Sequence, residues 1–436
     1  MSRGIDRKIL HIALPSIVSN ITVPLLGLTD TAIAGHMGAP AYIGAIAVGG
    51  MIFNMVYWLF GFLRMGTGGL TSQAYGAGRT DECARVLLRA LGVALSCGLL
   101  FVVLQRPLGD LAFRLLDATD EVKRTARTYY DVLVWGAPAV LGLYSFTGWF
   151  LGMQNARIPM YIAVAQNVVN IAASVAFVFG AGWKVEGVAA GTLIAQYAGL
   201  AMAALWWLRR YRPSTPRIGW RDVAERGALG RFFAVNRDIF LRTLCLVAVT
   251  TGFTSAGAAG GDLVLAVNAL LMQFFVIFSY VMDGFAYAGE ALGGRYAGAG
   301  DRRNFRLMAG RLLGWCSALA LAFTVLYACG GDLLVGLLTD DASVVGEAGR
   351  YLPYVVALPL LSFGAFLLDG LFIGTTSTRE MLVGMGAAAV CFFAAFAALR
   401  DAWGNHALWT AFLLYLFIRG AVQALFLPKI MRRIGR

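Results

Sequence analysis

Charge is what this sequence has least of. Only 14% of its 436 residues are Asp, Glu, Lys or Arg, against roughly 25% in soluble proteins, so an ordinary water-facing surface cannot be built from it. Histidine is scarcer still. His11, His36 and His406 are the only three, too few for a histidine-based metal centre, and no metal or cofactor is expected. The six cysteines, Cys83, Cys97, Cys245, Cys316, Cys329 and Cys391, are scattered without CxxC spacing. They read as small buried hydrophobes rather than disulfides or metal ligands. No nucleophile–base constellation stands out either, which argues against an enzyme.

Apolar residues are abundant instead. They make up 59% of the chain, and mean hydropathy is +0.71. Their runs approach or exceed the roughly 20 residues that span a bilayer. Twelve helices are expected, near 9–35, 41–66, 86–107, 127–152, 159–181, 186–208, 233–256, 263–291, 306–329, 350–374, 380–399 and 405–427. A lipid-facing barrel would need strands of about ten residues alternating in polarity, a pattern not found. Ser2–Lys8 is a short basic lead without the small-residue cleavage site of a signal peptide.

The chain repeats itself at an offset of about 222 residues. Gly76-Ala77-Gly78 returns as Gly298-Ala299-Gly300, and Gly148, Phe150, Gly152 and Arg157 return as Gly370, Phe372, Gly374 and Arg379. Pro138 returns one residue out of step as Pro359. Each half carries six spans, an even number, so both halves insert with the same orientation, as parallel repeats do. The organisation expected is 1–208 for spans one to six, 209–231 for a polar linker containing Pro213 and Pro216, and 232–436 for spans seven to twelve.

The net charge of +12 invites a nucleic-acid reading, but its distribution decides otherwise. With the N-terminus inside, 24 of the 36 Lys and Arg fall in inner loops, eight in outer loops, and Arg64, Arg237, Arg242 and Arg419 near or within spans. This threefold excess fits the positive-inside rule with both termini cytoplasmic. No nucleic-acid partner is expected; the expected partners are a lipid bilayer and small amphipathic molecules.

Among intramembrane polar residues Asp30 is the sharpest signal. A carboxylate at such depth must carry a proton, be paired, or face a watery cavity, although a position near the outer headgroups is an alternative, since Ala39-Pro40 marks a turn soon after. Pro15 and Pro24 share its span and each removes a helical hydrogen bond. Asn167, Asn170 and Ser174 lie in the fifth span and Thr192 and Gln196 in the sixth, with i, i+4 spacing that puts Asn170 with Ser174 and Thr192 with Gln196 on common faces. They read either as a hydration path or ion site with Asp30, or as interhelical hydrogen bonds. Asp369, in the tenth span, is the second deep carboxylate; its repeat partner is Thr147. Asp283 and Glu290 are further partly intramembrane candidates. Asp238 and Arg242, four apart, read as a structural ion pair, and Arg64 as a snorkelling side chain.

These residues resemble a known family. Thr29-Asp30-Thr31-Ala32-Ile33-Ala34-Gly35, the stretch from Gly61 to Gly78, Asn236-Arg237-Asp238-Ile239 and Leu368-Asp369-Gly370-Leu371-Phe372-Ile373-Gly374 look like the DinF-like branch of MATE multidrug exporters. The resemblance covers the whole chain. It implies a twelve-helix antiporter with two pseudo-symmetric six-helix lobes around a V-shaped cleft, expelling amphipathic, often cationic compounds in exchange for protons or sodium. Asp30 matches the family's ion-coupling aspartate, Pro15 the bend of the first helix, and Asn170 and Thr192 its polar network. Ser174 stands where many relatives have a second aspartate and Leu26 where some have a tyrosine, departures that favour protons over sodium. Asp369, Asn20 and Gln196 are candidates to line the substrate cleft. The function expected is a proton-coupled multidrug exporter of the inner membrane, monomeric; a lipid-linked precursor flippase of the same superfold is the alternative.

Overall fold

The computed structural model describes residues 2–114, 119–212, 219–223 and 225–435. Pro213, Pro216, Arg217 and Arg436 lie outside the described residues. Among the described residues there is no strand, and twelve helices are long and apolar enough to cross a membrane. In order they are Gly4–Gly35, Ala41–Gly76, Thr80–Val103, Asp120–Gly152, Arg157–Gly180, Val185–Tyr211, Arg226–Ala259, Asp262–Gly298, Arg302–Leu338, Ala342–Gly374, Thr378–Trp403 and Asn405–Arg433. The all-helical, twelve-span class expected from hydropathy is the class observed.

Most helices outrun their apolar segments. The sequence places the eighth and ninth at 263–291 and 306–329, yet each runs 37 residues. That is about 55 Å at 1.5 Å per residue, against a hydrocarbon core of about 30 Å. Hydropathy registers only the stretch that must avoid water, whereas backbone hydrogen bonding carries the helix beyond it. The second span runs on to Gly76 but breaks at Phe60-Gly61, whose N–H groups turn back to the Tyr57 and Trp58 carbonyls at 3.1 and 3.0 Å. Two short helices, Gln105–Arg114 and Trp220–Val223, give no apolar-run signal.

Packing divides the chain into two compact units, Val18–Asn236 and Met1–Ile17 with Arg237–Arg436. The first helix is unbroken from Ser2 to Gly35, so its opening turns belong to the unit of the second repeat and its remainder to the unit of the first. The opening turns are held by Asp6, which accepts from Arg311 Nε at 2.8 Å and from Trp315 Nε1 at 3.1 Å. The start of the seventh span, from Arg226 to Asn236, likewise stays with the first unit. Sequence repetition and packing therefore mark different boundaries along the chain.

Each unit is organised round one central span. Two-thirds of the apolar window of the fourth and of the tenth span is buried (67% in both), against 22–39% for every other span. These two are repeat partners, and glycines bring them close to their neighbours. A Cβ at Gly148 would collide with the Arg64 carbonyl, and one at Gly370 with the Ala286 carbonyl; Arg64 and Ala286 are themselves related by the repeat offset. A Cβ at Gly152 would lie 2.8 Å from the Gly68 carbonyl oxygen, and one at Gly374 2.8 Å from the Gly294 nitrogen. The recurring glycines thus conserve a helix–helix contact, the small-residue packing that membrane interfaces use. Gly148→Ala and Gly370→Ala are each expected to cost about 1–3 kcal/mol through overpacking, read as a lower thermal midpoint of the purified protein. Gly386→Ala, where a Cβ meets nothing within 4 Å, is the matched control and should be near neutral.

Candidate functional site

Asp30 lies in the part of the first helix that packs with the Val18–Asn236 unit. Its residue exposure is 5%, so the headgroup-solvated alternative does not hold in this structure. The side chain is set within an apolar core that includes Ile33, Ala34, Val188 and Ala189. Its partner is Thr192 of the sixth span, whose Oγ1 donates to Asp30 Oδ2 at 3.3 Å. The same hydroxyl lies 3.1 Å from its own helix's Val188 carbonyl. One hydroxyl hydrogen cannot serve both acceptors fully. Asn170 of the fifth span completes the group by donating Nδ2–H to Thr192 Oγ1 at 2.9 Å. Tyr129, also buried, has Thr192 and Asp30 as polar neighbours.

Several polar atoms of the group are unengaged. Asp30 Oδ1, Asn170 Oδ1 and Ser174 Oγ are buried without a hydrogen-bond partner. Ser174 sits one turn beyond Asn170, pressed against Gly191, where an added Cβ would meet its backbone nitrogen at 2.7 Å. Two residues later the fifth span widens into a π turn, Ala176–Gly180, a feature that recurs at functional sites. An ionised carboxylate here has one shared hydrogen bond from Thr192, with the Asn170 amide as a further polar neighbour, to balance its charge where it is buried, and burying charge is costly. A proton on Asp30 would remove that charge.

The second deep carboxylate has the opposite environment. Asp369 Oδ2 is ion-paired to both Arg242 of the seventh span and Arg419 of the twelfth, and its Oδ1 accepts from Gln423 Nε2 at 2.7 Å. All four residues are buried, in the unit that does not contain Asp30. The Asp238–Arg242 ion pair expected from i, i+4 spacing does not form. Asp238 is held by Arg237 at 3.0 Å and by the Thr378 hydroxyl at 3.2 Å, while Arg242 pairs with Asp369; both carboxylates are buried, and this division leaves each with a cation. The sequence marks Arg419 only as a cation near or within a span; its i, i+4 spacing with Gln423 is the one signal for that residue, and nothing in the sequence connects either to Asp369. Tyr129 carried no signal among 16 tyrosines.

The remaining candidates are more dispersed. Gln196 turns its Oε1 against Gly136, at the one-turn 3-10 segment Val134–Gly136, and that atom has no hydrogen-bond partner. Asn20 is half-buried on the first helix and has a polar partner. Pro15 precedes by two residues the point where the helix passes from one unit to the other. Among the described residues no group of three or more His, Cys, Asp or Glu could hold a metal ion.

Twelve long apolar helices in two glycine-matched repeats, with a donor-poor carboxylate buried in one, define a polytopic transporter rather than an enzyme. The MatE family model matches residues 15–176 and 240–397, and the chain belongs to the MATE family of membrane transporters. It is 40% identical over 432 residues, 99% of this chain and 93% of the relative, to DNA damage-inducible protein F of Escherichia coli (strain K12). It is 23% identical over 352 residues, 78% of this chain and 74% of the relative, to a probable multidrug resistance protein NorM of Thermotoga maritima. A crystal structure of a MATE protein in the bent conformation shares the fold, with a TM-score of 0.89 at 18% identity, covering 99% of this chain and 96% of that one.

Proposed function

We propose that the protein exports amphipathic, cationic compounds across the cytoplasmic membrane in exchange for protons, working as a monomer with both termini in the cytoplasm. The observation that carries the reading is the buried Asp30 carboxylate, with one oxygen unpartnered and the other sharing a hydroxyl with a backbone carbonyl. Protonation from outside neutralises it, the first helix bends near Pro15, and substrate leaves; loss of the proton to the cytoplasm resets the cycle. Membership of a multidrug and toxic compound extrusion family and likeness to a multidrug resistance protein support the substrate class. The excess of inner-loop arginines supports the orientation. Asp369, its oxygens already engaged by two guanidiniums and an amide, serves on this reading to hold the second unit together rather than to bind substrate; Asn20 and Gln196 are left as lining residues.

Sodium is the second reading, favoured by the three unpartnered oxygens of Asp30, Asn170 and Ser174. Against it, a hard cation takes about six oxygen ligands, and the group offers one carboxylate. In proteoliposomes, export of a cationic dye is expected to respond to a pH gradient in sodium-free buffer and to stop when that gradient is collapsed. Strict sodium dependence with no response to pH would reverse the assignment. Ser174→Asp is expected to bring sodium sensitivity if it folds, although Gly191 leaves the longer side chain little room.

A further inference from the structure

A cavity of about 280 Å³ lies in the first unit, between the ends of the second and third spans and the start of the seventh. It is not part of the Asp30 group. Leu70, Val86 and Phe232 give it apolar walls, while Arg79, Arg89, Arg231, Glu82 and Glu225 supply charge. The charges are unequally engaged. Arg89, whose side chain is 2% exposed, donates to Glu82 at 2.6 Å and to the Val223 and Asp222 carbonyls at 2.9 and 3.0 Å. It thereby caps the short linker helix Trp220–Val223 and fixes the cavity wall. Glu82 also faces Arg85 at 3.6 Å, so its charge is spent. Arg231 donates to the neutral Gln73 amide at 2.9 Å, and among the described residues Arg79 makes no ion pair. Two guanidiniums are therefore left against one carboxylate, Glu225.

Arg79 is also a locally unfavourable choice. It is the N-cap of the third span, with φ −92° and ψ 78° and no side-chain cap. Its repeat partner Asp301 caps the ninth span in nearly the same conformation, φ −86° and ψ 78°, accepting the Asn304 N–H at 2.9 Å. That bond holds the Asp301 carboxyl below its usual range. A cation cannot accept the orphan N–H groups of a helix start and opposes the helix dipole there. The first repeat lacks the stabilising cap of the second and has a guanidinium at this cavity instead.

We infer that the cavity binds a phosphate group, as carried by a phospholipid headgroup or a soluble phosphate ester, between Arg79 and Arg231. A bidentate guanidinium matches a phosphate better than any neutral group. The ends of these spans face the anionic inner leaflet in the orientation proposed above, where basic pockets between helices hold lipid headgroups. Binding by purified protein does not depend on that orientation, nor on the coupling ion.

The test uses delipidated full-length protein in a maltoside detergent, with its thermal midpoint read on adding short-chain phosphatidylglycerol, sn-glycerol 3-phosphate or inorganic phosphate. A saturable rise of about 3 °C is expected. A rise with the lipid alone identifies a headgroup that also needs its chains, and a rise with all three identifies the phosphate itself. The rise should vanish in Arg79→Gln/Arg231→Gln and persist in Arg106→Gln/Arg124→Gln, which removes equal charge from exposed positions elsewhere. Arg79→Asp guards against simple misfolding, because it restores the cap that Asp301 provides; it should be at least as stable as the parent without ligand and yet lose the rise. No rise with any of the three, or the same rise in Arg79→Asp, overturns the inference.

Discussion

Asp30→Asn is expected to insert, fold and pack like the parent protein and to lose uphill export. The substitution keeps the size of the side chain and leaves an oxygen to accept from Thr192, but it removes the only group in the Asp30–Thr192–Asn170 cluster that changes charge. For a monovalent cation exchanged one for one with a proton the membrane potential cancels, and each pH unit of gradient, about 1.4 kcal/mol, sustains a substrate gradient of roughly tenfold. That whole factor should disappear, leaving at most downhill exchange. The measurement is dye accumulation in energised vesicles, normalised to the amount of folded protein. Full uphill transport by Asp30→Asn would place the coupling carboxylate elsewhere.

Asp369→Ala should fail in the opposite way. Asp30 balances its charge poorly and can give it up, whereas Asp369 is the counter-ion of two buried guanidiniums. Removing it leaves Arg242 and Arg419 facing each other in an apolar interior, a loss of about 3–5 kcal/mol when one partner of a buried pair is deleted. The expected result is a protein that is scarcely recovered from the membrane or melts well below the parent. Arg419→Met should be milder, because Arg242 and Gln423 still hold the carboxylate. A stable, abundant Asp369→Ala protein that is defective only in transport would instead make this cluster part of the transport cycle.

The two aspartates show where sequence reading reaches its limit. Both stand out because charge in a membrane span is expensive, and that rule applies to each alike. What separates them is which helices pack around each. Thr192 and Asn170 share faces with their own neighbours in the sequence pattern, and the resemblance named them, so the Asp30 group was legible. Arg242, Arg419 and Gln423 lie 127, 50 and 54 residues from Asp369, and no spacing rule reaches across such distances. The local rule that was available, an i, i+4 pair between Asp238 and Arg242, gave the wrong partner because packing brings Arg242 to Asp369 of a distant span and leaves Asp238 to Arg237.

By itself the sequence determined the membrane class, the twelve spans, the duplication and the identity of the deep carboxylates. Each of these follows from the cost of burying polar groups or from a repeated pattern, both of which are written locally along the chain. Tertiary structure alone decided that the first helix is shared between two packing units, that Asp30 is short of donors while Asp369 is fully engaged, and that Arg79 and Arg231 meet at one cavity. These depend on side chains brought together from distant spans. Close packing of helices fixes which groups meet, and no one-dimensional pattern carries that information.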